Sequence, residues 1–130
     1  MHPVYVHIKK ELSPFYAEEE ASAMAKWISS DILHLSTLEL YTGKDMNFST
    51  KEWEELEDIL RRLKQREPLQ YILQEASFCG MSFHVEQGVL IPRPDTEELV
   101  EWIVSDDREA GQVRILDIGT GSGCIPVSLA

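Results

Sequence analysis

Asp117 is followed at alternate positions by Gly119, Gly121 and Gly123, with Thr120 and Ser122 between the glycines. An apolar run (Val113, Ile115, Leu116) leads into this stretch and a second apolar run, Cys124 to Ala130, leads out of it. The pattern predicts a buried parallel strand, a tight glycine turn, and the start of a helix packing back on the sheet. Glycines let a backbone approach a ligand closely and adopt φ values that a side chain forbids. The unpaired N–H groups of the new helix face whatever occupies the crevice beyond the strand end. Asp117 adds an acceptor or a counter-charge for a cationic ligand. The chemistry on offer is therefore the holding of a small molecule.

The spacing narrows the ligand. A dinucleotide fingerprint requires Gly-x-Gly-x-x-Gly, with the pyrophosphate on the helix N-terminus. Here the third glycine comes one residue early, Cys124 stands six along, and the acid precedes the turn. No Gly-Lys-Ser/Thr provides a phosphate-binding loop. The order Asp-x-Gly-x-Gly-x-Gly resembles motif I of class I S-adenosylmethionine-dependent methyltransferases. That cofactor carries no phosphate, so the loop needs only to accommodate a methionine moiety and an adenosine.

Composition excludes several classes. At 43% hydrophobic residues the chain is globular, and no apolar run approaches the ~20 residues that span a bilayer. The N-terminus, Met1-His-Pro-Val-Tyr, lacks a basic-then-apolar signal pattern. Cys79 and Cys124 lie in separate segments, and the four histidines form no pair at ligand spacing, so no metal is assigned. Two free thiols suit a cytoplasmic location. The net charge is −11. Residues 1–75 carry nine basic and fourteen acidic side chains, and residues 76–130 three and nine. Neither part is a basic platform, which argues against direct nucleic-acid binding and favours a basic protein partner.

The elements that must position the turn follow in order. Val4, Ile8 and Leu12 mark a short first helix. Ser13-Pro14 predicts the cap and first position of a second, with Ala17, Ala21, Met24, Ile28, Ile32 and Leu35 on its apolar face and Glu18–Glu20 near its positive end. Ser36 and Glu39 predict a capping box for a third helix, stopped at Gly43. Asp45 to Phe48 reads as a turn. Ser49 and Glu52 form a second capping box, opening a long helix striped by Trp53, Leu56, Ile59, Leu60 and Leu63. The tryptophans are expected in the core. Pro68 ends this helix, and Leu69–Leu73 adds a last turn, giving a four- or five-helix bundle. After Glu75 the period changes to two. Phe83 and Val85, a turn at Gly80, a second turn at Gln87-Gly88 and a strand at Val89–Ile91 predict a β-hairpin. Asp95 and Glu98 then cap a helix presenting Leu99, Trp102 and Ile103.

Three stretches extend the resemblance beyond motif I. Arg66-Glu-Pro-Leu-Gln-Tyr-Ile-Leu73, Phe78-Cys-Gly-Met-Ser-Phe83, and Val89-Leu-Ile-Pro-Arg-Pro-Asp-Thr-Glu-Glu-Leu-Val100 are similar to the release-factor glutamine methyltransferases, the PrmC/HemK family. Ile115 to Cys124 matches that family's motif I wording. The resemblance implies a mainly α N-terminal helical bundle (1–75) that docks a release factor. A β-hairpin linker (76–92) follows, then the start of a class I methyltransferase Rossmann-like α/β domain (93–130). It implies methyl transfer from S-adenosylmethionine to the amide nitrogen of the glutamine in the release factor's Gly-Gly-Gln loop. Asp117, Gly119, Thr120, Gly121, Ser122 and Gly123 would line the cofactor, with Arg93 and Thr96 close by.

An amide nitrogen is a poor nucleophile, and the family orients it with an Asn-Pro-Pro-Tyr motif that these 130 residues do not contain. No catalytic residue is therefore assigned, and the chain is expected to be an inactive N-terminal fragment. Residues after Gly111 are expected to lack order or to pair with another copy through an open strand edge. Two alternatives stand beside this reading. One is a non-catalytic protein-binding bundle, and the other a related Asn-Pro-Pro-Tyr N-methyltransferase with another substrate. A nicotinamide oxidoreductase is disfavoured by the early third glycine.

Overall fold

A computed structural model describes residues 1–42, 48–106 and 111–130. The expected stops at Gly43 and Asp45–Asn47, and the acidic 107–110, lie outside the described residues. The chain divides into two compact units, Met1–Leu69 and Gln70–Ala130. Its elements realise the expected order, a helical bundle, an antiparallel hairpin and the opening of a methyltransferase-type domain.

The first unit is built by α1 (Pro3–Leu12), α2 (Glu18–Asp31), α3 (Thr37–Thr42) and α4 (Thr50–Lys64), with α5 (Leu69–Leu73) beginning at its end. Helix α1 opens on a proline, whose missing N–H costs nothing at that position. Its cap is His2, whose Nδ1 accepts from the Val4 N–H at 3.3 Å. Ser36 and Ser49 both form the expected capping boxes. Ser49 Oγ accepts from the Glu52 N–H at 3.3 Å, and the Glu52 carboxylate accepts from the Ser49 N–H at 2.7 Å. Three or four residues apart on α1 and α4, Ile8, Leu12, Leu56, Leu60 and Leu63 turn inward with Ile28 of α2 and are completely or almost completely buried.

Three expectations for this unit are corrected. Ser13-Pro14 closes α1 rather than opening α2: Ser13 Oγ and N–H both donate to the Lys9 carbonyl, satisfying an acceptor the helix end leaves free. Helix α2 therefore starts at Glu18, with its three glutamates in the first turn. It also stops before Ile32. His34 takes φ +50°, and the Leu35 N–H bonds back to the Ser29 carbonyl, so Leu33 and Leu35 reach the core from a turn. Finally, Trp53 lies at the surface, where its ring meets Phe48 and His7 edge-on. Trp27 is half-buried and donates to Asp31 Oδ2 at 2.8 Å.

Helix α4 ends with Arg66 in the left-handed region (φ +66°). Its guanidinium lies 4.7 Å from the centre of the Tyr16 ring. Arg62 holds Glu67 through two hydrogen bonds of 2.8 and 2.6 Å, and Lys64 reaches Glu11 at 2.5 Å.

In the second unit, β1 (Glu75–Phe78) and β2 (Met81–His84) pair antiparallel, with Ala76 opposite Phe83 and Phe78 opposite Met81. Cys79 and Gly80, at φ +48° and +72°, make the two-residue turn; positive φ at both positions matches the right-handed twist of the strands. The hairpin thus closes earlier than expected. Val89–Ile91 is not a strand, and it pairs with no strand among the described residues. Instead Val89 donates to the Glu86 carbonyl in the Gln87-Gly88 turn, and its own carbonyl accepts from Tyr71 Oη at 2.7 Å. Helix α6 (Pro94–Asp106) starts at Pro94, so Asp95 lies inside its first turn rather than at the cap. The buried face is that of Val100, packed with Phe78, Phe83 and Cys124. Leu99 and Trp102 point to solvent and Ile103 is only half-buried, which corrects the expected apolar face. The expected buried strand at Val113–Asp117 is also corrected. This segment pairs with no strand among the described residues, and its side chains stay largely exposed.

Candidate functional site

The glycine turn takes the form that the residue order requires. Gly119, Gly121 and Gly123 adopt φ of +78°, +58° and +79°, a left-handed region that costs an L side chain about 1 kcal/mol or more. Gly123 caps α7 (Cys124–Leu129), and its N–H bonds the Thr120 carbonyl at 3.0 Å. A Cβ built on Gly119 or Gly121 would meet nothing within 4 Å, and one on Gly123 only the Val127 side chain at 3.9 Å. The turn is an open cradle. Its glycines are required by backbone conformation and leave room beside the chain.

Two polar atoms in this segment lack partners. Asp117 Oδ2 and Ser122 Oγ are shielded from solvent, and neither makes a hydrogen bond. A shielded carboxylate oxygen or hydroxyl without a partner is costly. Both atoms are suited to a ligand that brings donors, such as an ammonium or hydroxyl group. Asp117, Thr120 and Ser122 are thus gathered with the three glycines in one turn. Cys124 anchors that turn by packing under Val100 of α6, with Ile125 and Leu129 completing the contact.

Arg93 and Thr96 lie at the opposite end of the sequence-expected set. Arg93 is exposed just before α6, and its carbonyl accepts from the Thr96 N–H at 3.0 Å. No hydrogen bond joins either side chain to the glycine turn among the described residues.

Sequence reasoning missed Glu97. Its Oε1 accepts from the Cys79 N–H at 2.7 Å, tying the left-handed hairpin turn to the first turn of α6. An acid in a first helical turn signals only the helix dipole. That it satisfies a turn eighteen residues earlier in the chain is visible only in three dimensions. Tyr71 was missed in the same way, since nothing local announces that its hydroxyl closes on Val89. No group of His, Cys, Asp and Glu among the described residues could hold a metal ion. No described helix is long and apolar enough to cross a membrane.

Comparison with known proteins addresses the whole of this arrangement. A protein named release factor glutamine methyltransferase from Bacteroides thetaiotaomicron is 46% identical over 129 residues, covering 99% of this chain and 46% of the relative. A protein of the same name from Flavobacterium psychrophilum is 39% identical over 122 residues, covering 92% and 43%. One from Geobacter sulfurreducens is 42% identical over 112 residues, covering 86% and 39%. The chain therefore spans somewhat less than half the length of these relatives. The family model described as the PrmC N-terminal domain matches residues 5–73, which takes in α1 from its third residue and the whole of α2 through α5. With more than half of its 130 residues under that model, the chain belongs to the PrmC N-terminal domain family.

Proposed function

We propose that the protein to which these residues belong is an S-adenosylmethionine-dependent methyltransferase acting on the glutamine of a release factor's Gly-Gly-Gln loop. One observation carries this reading. The relative from Bacteroides thetaiotaomicron that bears the methyltransferase name aligns through 99% of the chain, so the likeness runs through the helical bundle and the glycine turn together.

The residues present fit the cofactor. Gly119, Gly121 and Gly123 keep the turn free of side chains, and the unpartnered Asp117 Oδ2 and Ser122 Oγ would accept from its ammonium and hydroxyl groups. Thr120 would complete the lining, with Arg93 and Thr96 nearby. When bound, S-adenosylmethionine supplies an electrophilic methyl group on a sulfonium. The work of these residues is to hold and orient, since fixing a reacting pair in line lowers the barrier by entropy already paid on binding. The bundle, residues 1–75, would dock the release factor, and the hairpin 76–92 would link it to the cofactor-binding part from 93 onward. Orientation of the substrate amide needs acceptors for its N–H groups. No residue here is assigned that role, so the chain by itself is expected to transfer no methyl group.

The test is direct. The full-length protein should be incubated with S-adenosylmethionine and purified release factor, and the Gly-Gly-Gln peptide sequenced by mass spectrometry. A methyl group on the glutamine amide is expected, and Gly121→Val should abolish both transfer and cofactor binding. A methyl group on another residue, or none, would sink the substrate assignment. Unchanged cofactor affinity in Gly121→Val would overturn the site.

A further inference from the structure

The hairpin turn leaves one backbone group outside its own ladder. Phe78 faces Met81, so the pairing of β1 with β2 closes at those two residues. The N–H of Cys79, the first of the two turn residues, has no place in that ladder and needs an acceptor elsewhere. It finds one eighteen residues on, in Glu97 Oε1 at 2.7 Å, and the bond is partly buried. Cys79 is itself held at φ +48°, a conformation that a residue with a side chain adopts only at a cost.

Glu97 is the fourth residue of α6, and Val100 follows three positions later. That spacing sets the two side chains beside each other on one face of the helix. Val100 is buried against Phe78, Phe83 and Cys124. The same short face of α6 is therefore pinned to the hairpin twice, by a hydrogen bond at the turn and by apolar contact with one phenylalanine from each strand. Cys124 is the first residue of α7 and directly follows Gly123, and Ile125 and Leu129 lean on the same cluster. A shift of α6 along the hairpin is thus a shift of the surface on which α7, and with it the glycine turn, rests. Apolar contact is non-directional and resists such sliding poorly. A hydrogen bond weakens steeply with distance and angle. The Cys79–Glu97 bond is the only hydrogen bond between the hairpin and α6 among the described residues.

We propose that Glu97 is a positioning residue for S-adenosylmethionine. It makes no hydrogen bond to the glycine turn. Through Cys79 it sets the register of α6, which places Val100 under Cys124 and so steadies Gly119–Gly123. A turn held in place before the cofactor arrives need not be ordered during binding, and affinity gains accordingly. Removing the tie should therefore weaken cofactor binding while leaving the transfer step at saturation nearly intact. This inference rests on the proposed cofactor, and its test separates the two.

The full-length protein should be titrated with S-adenosylmethionine by calorimetry, as the parent and as Glu97→Ala, Glu97→Asp and Glu97→Gln. Alanine removes the acceptor, aspartate keeps the charge but withdraws it by one methylene, and glutamine keeps an oxygen at the same reach. Glu97→Ala and Glu97→Asp should raise the dissociation constant about fivefold, the worth of one hydrogen bond, and Glu97→Gln should stay within about twofold. With release factor as methyl acceptor, the first two should raise KM for S-adenosylmethionine with kcat nearly unchanged. A role in stability alone gives another pattern, a lowered Tm and fewer competent molecules at the parent's dissociation constant. That pattern would overturn the proposal, and so would equal weakening in all three variants, since charge rather than a placed acceptor would then decide. Should Glu97→Ala fail to fold, Glu97→Asp carries the same test. A parent that binds and a Glu97→Asp variant that binds equally well would sink the positioning role and leave the cofactor reading standing. A parent that binds no S-adenosylmethionine would sink the cofactor reading and this inference with it.

Discussion

In Met1–Leu69, Ile8, Leu12, Ile28, Leu56, Leu60 and Leu63 turn inward until almost none of their surface remains exposed. In Gln70–Ala130, Leu90, Leu116 and Ile118 stay 77%, 84% and 86% exposed, and the buried apolar residues are Ala76, Phe78, Phe83, Val85, Val100 and Cys124. The two regions have similar apolar vocabularies and opposite outcomes. A helix satisfies its backbone internally, so α1, α2 and α4 need only one another's faces to close a core. A parallel strand satisfies neither its backbone nor its two faces without neighbours on both sides. Val113–Asp117 has the composition of such a strand and none of its surroundings. The first region closes a helical core, and the second combines a small apolar cluster with hydrogen bonds such as Cys79 to Glu97.

Substitutions should break the two regions differently. The largest effect is expected for Leu60→Ala, which empties a fully buried site and should cost about 2–5 kcal/mol in urea unfolding of the bundle. Amide exchange in β1 and β2 should be unchanged; loss of hairpin protection in the same variant would mean that the two regions fold as one. Next comes Glu97→Ala, which strips the Cys79 N–H of its acceptor. It should cost about 1–3 kcal/mol locally, read as faster exchange at Cys79 while the bundle's melting curve holds still. Ser49→Ala removes one half of a capping box and should cost the bundle about 1 kcal/mol.

Acid should act on the bundle more gently. The hydrogen bond from Lys64 holds the Glu11 carboxyl below its ordinary value of 4.5. The bonds from Ser49 and Arg62 do the same for Glu52 and Glu67. A folded value below the unfolded one means that the charged form is preferred in the native state. The stability this confers is therefore fully present above about pH 4.5 and is lost as pH falls through the depressed values. The groups are exposed and the loss should be modest. A bundle urea midpoint that rises between pH 4.5 and 3 would contradict these assignments. Smallest of all is Leu116→Ser, expected within about 0.5 kcal/mol of the parent because that side chain already faces solvent. A loss of several kcal/mol would show that Leu116 is buried in solution.

Much of this was legible beforehand where the signal is local. Ser36 with Glu39 and Ser49 with Glu52 announce helix starts because both partners of the capping box lie within four residues. The stripe from Leu56 to Leu63 announces a buried face because helical spacing places its members together. The candidate site was legible as a turn, since three glycines after an acid permit a backbone that other residues resist. The failures have one cause. Ser13-Pro14 looks like a helix start, and only the Lys9 carbonyl above it makes it an end. Leu99 and Trp102 look like a packing face, and only the position of Phe78 and Cys124 selects Val100 instead.

The sequence by itself determined most of the helices, the two Ser–Glu capping boxes, the turn at Gly80 and the left-handed glycines, because each depends on a residue's own conformational preferences and on neighbours a few positions away. It also determined the family, through wording that runs in order from Arg66 to Cys124. Tertiary structure alone decided that Glu97 secures Cys79, that Tyr71 secures Val89, and that Lys64 of α4 meets Glu11 of α1. These outcomes depend on which groups meet after the chain has turned back on itself, and no local preference encodes that meeting.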